Sequence, residues 1–206
     1  MRNPDVDFVL FDLGGVVIEL GGVGAMRALS GLASNTEVWE RWLTSPWVQR
    51  FESGRCTASE FSEGVVSEWE LPVSPSEFLE AFRDWPIGPF DGAAELLAAV
   101  RRRVPIGCLS NTNTVHWQHQ VENWSILELF DYRFLSFDLG LVKPDPEVYR
   151  TVAGLLPVPP DRVLFLDDNQ LNTEAARSYG FRSEQVYGVE EAERVLVEVG
   201  VIGAGD

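Results

Sequence analysis

Positive charge is scarce in this 206-residue chain: 16 Lys and Arg stand against 32 Asp and Glu, a formal net charge of −16. Affinity for DNA or RNA phosphates comes largely from Lys and Arg displacing counterions, so no nucleic-acid partner is expected. Anionic membrane surfaces are disfavoured on the same ground. Cysteine is nearly absent. Cys56 and Cys108 are too few for a disulfide framework and lack metal-ligand spacing, so both are expected to sit reduced, packed as small apolar residues. Long apolar runs are missing as well. The long stretch without Asp, Glu, Lys or Arg, residues 104–121, is filled with Ser, Asn, Thr, Gln and His, so no membrane-spanning helix is expected. Asp5, Asp7 and Asp12 interrupt the first apolar residues, which argues against a signal peptide. The chain reads as a soluble, cytoplasmic protein, monomeric or homodimeric, without internal repeats.

What is present is an ordinary globular composition, 45% hydrophobic and 23% charged, which excludes disorder as the main state. Short apolar runs at residues 6–11, 105–109, 134–137 and 163–166, and a weaker one at 185–187, read as strands. Their continuity suits strands covered on both faces. Helical patterns fall between them at residues 91–102, 114–129, 146–155, 172–179 and 190–199. The first has Asp91 at the expected N-cap and Arg101, Arg102 and Arg103 at its dipole-matched end. The alternation predicts an α/β fold with a doubly wound parallel sheet.

Residues 21–89 differ. They carry Trp39, Trp42, Trp47, Trp69 and Trp85 with Phe51, Phe61 and Phe78, show no convincing strand, and present helical stretches at 25–32, 36–48, 58–69 and 75–82. Such a segment is too long for a simple crossover. The expected organisation is a core from residues 1–20 and 90–206, with residues 21–89 inserted as a helical cap.

Ligands of open α/β sheets bind beyond the carboxyl ends of the strands. Four polar clusters fall there: Asp12-Leu13-Gly14-Gly15, Ser110-Asn111-Thr112-Asn113, Lys143-Pro144-Asp145 and Asp167-Asp168-Asn169. Singly, each has a bland reading as helix cap, turn or solvated loop. Together they offer a carboxylate, a hydroxyl, an ammonium and a carboxylate pair. Converging carboxylates need a cation, and hard oxygen donors suit Mg²⁺. A carboxylate can attack phosphorus, and Ser110, Lys143 and turn amides can receive the phosphoryl oxygens.

These residues make the chain resemble the haloacid dehalogenase-like hydrolase superfamily. The four motifs are Phe11-Asp12-Leu13-Gly14-Gly15-Val16, Leu109-Ser110-Asn111, Lys143-Pro144 and Phe165-Leu166-Asp167-Asp168, in family order. The resemblance implies a Rossmann-like core, an α-helical cap and a Mg²⁺-dependent phosphatase. The cap stretch Phe51-Glu52-Ser53-Gly54-Arg55, followed by Glu60-Phe61, is similar to a pattern of this branch. Ser110 to Asn113 with His116-Trp117, and residues 138–144, resemble bacterial α-D-glucose-1-phosphate phosphatases. The N-terminal lipid-phosphate phosphatase domains of epoxide hydrolases form a neighbouring group.

Carried over, the resemblance makes Asp12 the nucleophile. Asp12, the Gly14 carbonyl and Asp168 would hold Mg²⁺, with Asp167 beside it. Ser110 and the Asn111 amide would bind the phosphoryl group, and Lys143 would bridge phosphate and nucleophile. The implied substrate is a small phosphorylated metabolite such as a sugar phosphate.

One position departs from the pattern. Phosphatases of this superfamily commonly place a second Asp, the general acid/base, two residues after the nucleophile; here Gly14 stands there. Three readings follow: a substrate with a better leaving group, a stand-in such as His116 or a cap residue, or a site that binds without turnover. The relatives that dehalogenate 2-haloacids also lack this Asp, but they place a bulky aromatic there and need no metal. His116 and His119 share a helix face without a third zinc ligand, the tryptophans read as cap core, and Asn172 reads either as orienting Asp168 or as a structural cap of its helix.

Overall fold

The structure, a computed structural model, describes residues 5–119 and 121–204. The outermost positions of the expected core and one position of the expected 114–129 helix lie outside the described residues. Strand β1 (Phe8–Phe11) leads through a short strand β2 (Ile18–Leu20) into five helices. These are α1 (Gly22–Ser30), α2 (Asn35–Thr44), α3 (Pro46–Glu52), α4 (Ala58–Trp69) and α5 (Pro75–Arg83), after which strand β3 (Pro86–Pro89) returns. The rest alternates: α6 (Ala93–Arg101), β4 (Ile106–Ser110), α7 (Thr114–His119), β5 (Tyr132–Leu135), α8 (Ser136–Leu139) and α9 (Pro146–Leu155). It ends with β6 (Val163–Asp167), α10 (Gln170–Tyr179), β7 (Arg182–Gln185) and α11 (Gly188–Glu198).

Five strands form one parallel sheet in the order β5-β4-β1-β6-β7. Its inner strands are buried along their whole length, which is why they read as unbroken apolar runs. Val9 and Phe11 face a core shared with Ile106, Leu166, Leu97 of α6 and Leu196 of α11. Phe8 and Leu10 face the other way, against Phe165, Val148 and Tyr149 of α9, and Ala176 of α10. Helices thus cover both faces, as a doubly wound sheet requires.

Helices α1 to α5 have a core of their own, in which Met26, Trp42, Phe61, Trp69, Phe78 and Phe82 are buried. The Phe51 and Phe61 rings stack at 4.2 Å. Two capping boxes, Thr57 with Glu60 and Ser74 with Glu77, start α4 and α5. This unit joins the sheet through β2 and β3, which pair antiparallel with Leu20 opposite Pro86.

Several expected elements are corrected. Residues 36–48 are not one helix: Pro46 opens α3, and Ser45 both ends α2 and caps α3 by accepting from the Val48 N–H. Residues 114–129 are α7 followed by 3₁₀ turns at Val121–Asn123 and Ser125–Leu129. On one straight helix Val121 would point roughly 120–180° away from Ile126, Leu127 and Phe130, yet all four are buried. Strand β3 lies in the segment that showed none, because two prolines and four residues leave no periodicity to detect. Strands β5 and β7 start ahead of the residues expected. Asp91 does not cap α6; Gly92, at φ +80°, takes that position.

Candidate active site

Each polar cluster sits where its strand or loop delivers it. Asp12 follows β1 directly, its N–H donating to the Leu166 carbonyl at 2.7 Å, so the sheet's own pairing sets the residue in place. Ser110 ends β4, and Asp167 ends β6 with Asp168 next. Lys143 arrives on the loop after α8. Asp12, Gly14, Ser110, Asn111, Lys143 and Asp168 line one cavity of about 510 Å³, whose other walls include Trp39, Trp42, Glu52 and Trp85 of the helical insert. Asp167 lies beneath it with no exposed surface.

Lys143 locks this floor together. Its Nζ lies 2.9 Å from Asp12 Oδ1, 2.7 Å from Asp167 Oδ2 and 3.0 Å from the Leu109 carbonyl, so all three ammonium protons have acceptors. It is also the only lysine of the chain, a signal that sequence reading passed over. Asn111 fixes its backbone: Asn111 Oδ1 accepts from Lys143 N–H at 2.8 Å and Nδ2 donates to the Lys143 carbonyl at 3.0 Å. The Asn111 side chain is thereby a clamp on the lysine loop. Asn172 orients Asp167, not Asp168 as expected, with Nδ2 3.0 and 3.1 Å from its two oxygens. The Asn169 N–H donates to Asp167 Oδ1 at 2.8 Å.

Asp12 Oδ1 accepts from Leu13 N–H at 2.7 Å as well as from Lys143, while Oδ2 accepts from no group among the described residues. Burial pushes the Asp12 carboxyl well above the usual range, opposed by Lys143 and reinforced by Asp167 and Asp168. Burial, then Asp167, pushes Asp168 up to about 6. Oxygens of these three carboxylates lie within 4.8 Å of one another. Lys143 alone against three carboxylates leaves excess negative charge on hard oxygen donors, which fits a small divalent cation.

The glycines of the first cluster fit the same arrangement. Gly15 adopts φ +74°, and a Cβ there would clash with the Asp168 carboxylate. Gly15→Ala should therefore destabilise the fold by about 1–2 kcal/mol through backbone conformation alone and weaken divalent-cation binding by displacing Asp168. Urea denaturation and calorimetric titration with Mg²⁺ measure the two; unchanged binding would detach Asp168 from the cation site.

His116 lines the same cavity as Asp12, but both histidines are engaged by the end of α5. His116 Nε2 lies 2.7 Å from the Phe82 carbonyl and His119 Nε2 lies 3.3 Å from Asp84, both at the end of α5. On another side of the insert, Arg55 donates to the Gly140 carbonyl at 2.7 Å. These contacts hold the helical unit over the cavity. Among the described residues, no helix is long and apolar enough to cross a membrane.

A parallel α/β sheet carrying a lysine-locked carboxylate cluster at its strand ends defines the class. The chain matches the haloacid dehalogenase-like hydrolase family over residues 6–180, and it belongs to that family. It is 26% identical to D-ribitol-5-phosphate phosphatase of Bacteroides thetaiotaomicron over 86% of this chain and 90% of that protein. It is also 26% identical to N-acetylmuramic acid 6-phosphate phosphatase of Pseudomonas aeruginosa, over 91% and 85% of the two chains. A magnesium complex of a HAD family enzyme from Bacteroides thetaiotaomicron shares the fold, with a TM-score of 0.74 at 22% identity over 93% and 98% of the chains. The L-2-haloacid dehalogenase of Xanthobacter autotrophicus also shares it, with a TM-score of 0.64 at 23% identity over 97% and 85%.

Proposed function

We propose that this hydrolase is a Mg²⁺-dependent phosphatase of small phosphorylated metabolites, sugar phosphates among them. The observation that carries this is Asp12, which lines the cavity 2.9 Å from Lys143 and within 4.8 Å of Asp167 and Asp168, its Oδ2 accepting from no group among the described residues. Two relatives spanning most of the chain are phosphatases of phosphorylated carbohydrates, which supports the substrate class. The reading assigns residues 1–20 and 90–206 to the core and 21–89 to a cap. Cavity walls from the cap would select the organic part of the ester.

Asp12, the Gly14 carbonyl and Asp168 would hold Mg²⁺, with Asp167 behind them gripping Lys143. When bound, the ion offsets charge on the phosphoryl oxygens. Asp12 Oδ2 attacks phosphorus and the ester P–O bond breaks, leaving the phosphoryl group on Asp12. Water then attacks that phosphorus, releasing phosphate and restoring the carboxylate. Ser110 and turn amides receive the phosphoryl oxygens, and Lys143 keeps Asp12 ionised.

Incubation with Mg²⁺ and a panel of sugar phosphates plus p-nitrophenyl phosphate tests this. Turnover that chelation with EDTA abolishes and Mg²⁺ restores is expected. Absence of hydrolysis across the panel, or metal-independent halide release from 2-haloacids, would overturn the reading.

A further inference from the structure

The phosphatase reading, on which this inference rests, leaves one proton unassigned: the departing alcohol oxygen must receive one, and Gly14 has no side chain to give it. Nor can position 14 acquire one unless Leu20 moves, because a Cβ there would lie 2.8 Å from Leu20 Cδ1. His116 cannot substitute. The Phe82 carbonyl only accepts, so the proton sits on His116 Nε2, and Nδ1 is left to accept from Asn113 Nδ2 at 3.2 Å. Both ring nitrogens are committed, and burial pushes the ring's pKa down to about 4. Tyr187 stands exposed at the rim, its hydroxyl accepting from Gln185. Asp168 belongs to the cation cluster. Two carboxyl groups of the insert remain on the cavity wall, Glu40 and Glu52.

Glu40 is exposed, whereas Glu52 is partly buried and also lines a smaller adjoining cavity with Asn111, Lys143 and Asp145. Its neighbours in the Phe51 to Arg55 stretch are each tied down elsewhere. Phe51 stacks in the insert's core and Ser53 Oγ donates to the Gln49 carbonyl at 2.6 Å. Gly54, at φ +69°, leaves a Cβ position only 2.8 Å from the Phe137 carbonyl, and Arg55 reaches Gly140. Glu52 is the member of that stretch that lines the cavity.

We infer that Glu52 is the acid/base of this enzyme, giving its proton to the departing alcohol oxygen and taking one from the hydrolytic water. In the first step the P–O bond to the alcohol breaks, its electron pair stays on that oxygen, and Glu52 becomes carboxylate. In the second, water loses a proton to Glu52 while its oxygen bonds phosphorus, and the pair of the breaking bond returns to Asp12. The environment suits both roles. Burial pushes the Glu52 carboxyl up to about 7, against the opposing charge of Lys143 and the Trp42 indole N–H. Of the other charged groups nearby, Asp145 borders the smaller cavity, Arg50 lies over the Trp47 ring, and Arg55 is turned to Gly140.

The test compares Glu52→Gln with the native enzyme, both loaded with Mg²⁺, on a primary-alcohol phosphate and on p-nitrophenyl phosphate. A general acid matters only where the leaving group needs a proton. A loss of about 10²–10⁴-fold in the single-turnover rate of leaving-group release is expected on the alkyl ester, and a far smaller one on the aryl ester, whereas the shared hydrolytic step should slow on both. The native alkyl rate should fall as pH rises past about 7, as the acid form is lost, and Glu52→Gln should not show that limb. Glu52→Asp should recover part of the alkyl rate. Equal losses of the release rate on both esters, or none, would overturn the inference while leaving the phosphatase reading intact. If the native protein hydrolyses neither ester, it is the phosphatase reading that fails.

Discussion

Asp12→Asn is expected to abolish phosphate-ester turnover, lowering kcat by on the order of 10⁴–10⁶-fold. The replacement keeps the shape of the side chain and removes the charge proposed to attack phosphorus. Oδ1 can still accept from Leu13, and the Lys143 ammonium still has Asp167 and the Leu109 carbonyl. The fold should therefore survive, and its stability should change little, because one of two crowded carboxylates around a single ammonium has become neutral. Single-turnover assays with p-nitrophenyl phosphate, beside a urea melt, separate the two effects. Turnover within tenfold of native would remove Asp12 from the nucleophile's role.

Lys143→Met should damage both activity and stability. The lysine is almost wholly buried between Asp12 and Asp167. Taking one partner from a buried ion cluster costs about 3–5 kcal/mol, since the remaining charges stay desolvated. The sign of the pH dependence follows from the direction of the Asp12 shift. Its carboxyl already titrates above the unfolded value with Lys143 present, and it must rise further without it. A raised folded-state pKa gives stability that is present at low pH and lost as pH rises through the folded value. The variant's deficit should therefore be largest near pH 8 and shrink toward pH 5, and added Mg²⁺ should recover part of it. Urea melts at the two pH values measure this, and a pH-independent deficit would contradict the cluster as drawn. Activity should fall by about 10²–10³-fold, the scale for losing one positioned cationic contact.

The sheet and its ligand ends were legible in the sequence because the inner strands are buried on both faces and therefore announce themselves as apolar runs ending in polar residues. Asp12, Ser110, Asp167 and Asp168 could be placed from that pattern, since strand ends converge in a parallel sheet, whereas Lys143 comes in on the loop after α8. What the sequence hid depended on pairings that spacing does not fix. Asn111 serves Lys143, thirty-two residues on, where two loops cross, and Asn172 serves Asp167, five residues back, past the nearer Asp168. The His116 tautomer is set by a carbonyl thirty-four residues upstream. Strands β2 and β3 are too short to carry a period. Glu52 looked like one letter of a cap pattern, and it gained significance only when its neighbours were seen tied down around it.

The β2–β3 ribbon has a consequence for how the chain assembles. Leu20 lies opposite Pro86, so the sequence between them leaves and rejoins the sheet at adjacent points. For β1 to find β4, the chain must close a loop whose entropy grows with its free length. Once the inserted helices have packed on their aromatic core, that free length shrinks to a hairpin's span. To the parent sheet the insert is a turn that happens to be large. Any other folded unit with ends at the same spacing could be spliced onto those two strands with the register of β1, β4 and β6 undisturbed, so the groove above a fixed catalytic floor can be exchanged as a cassette.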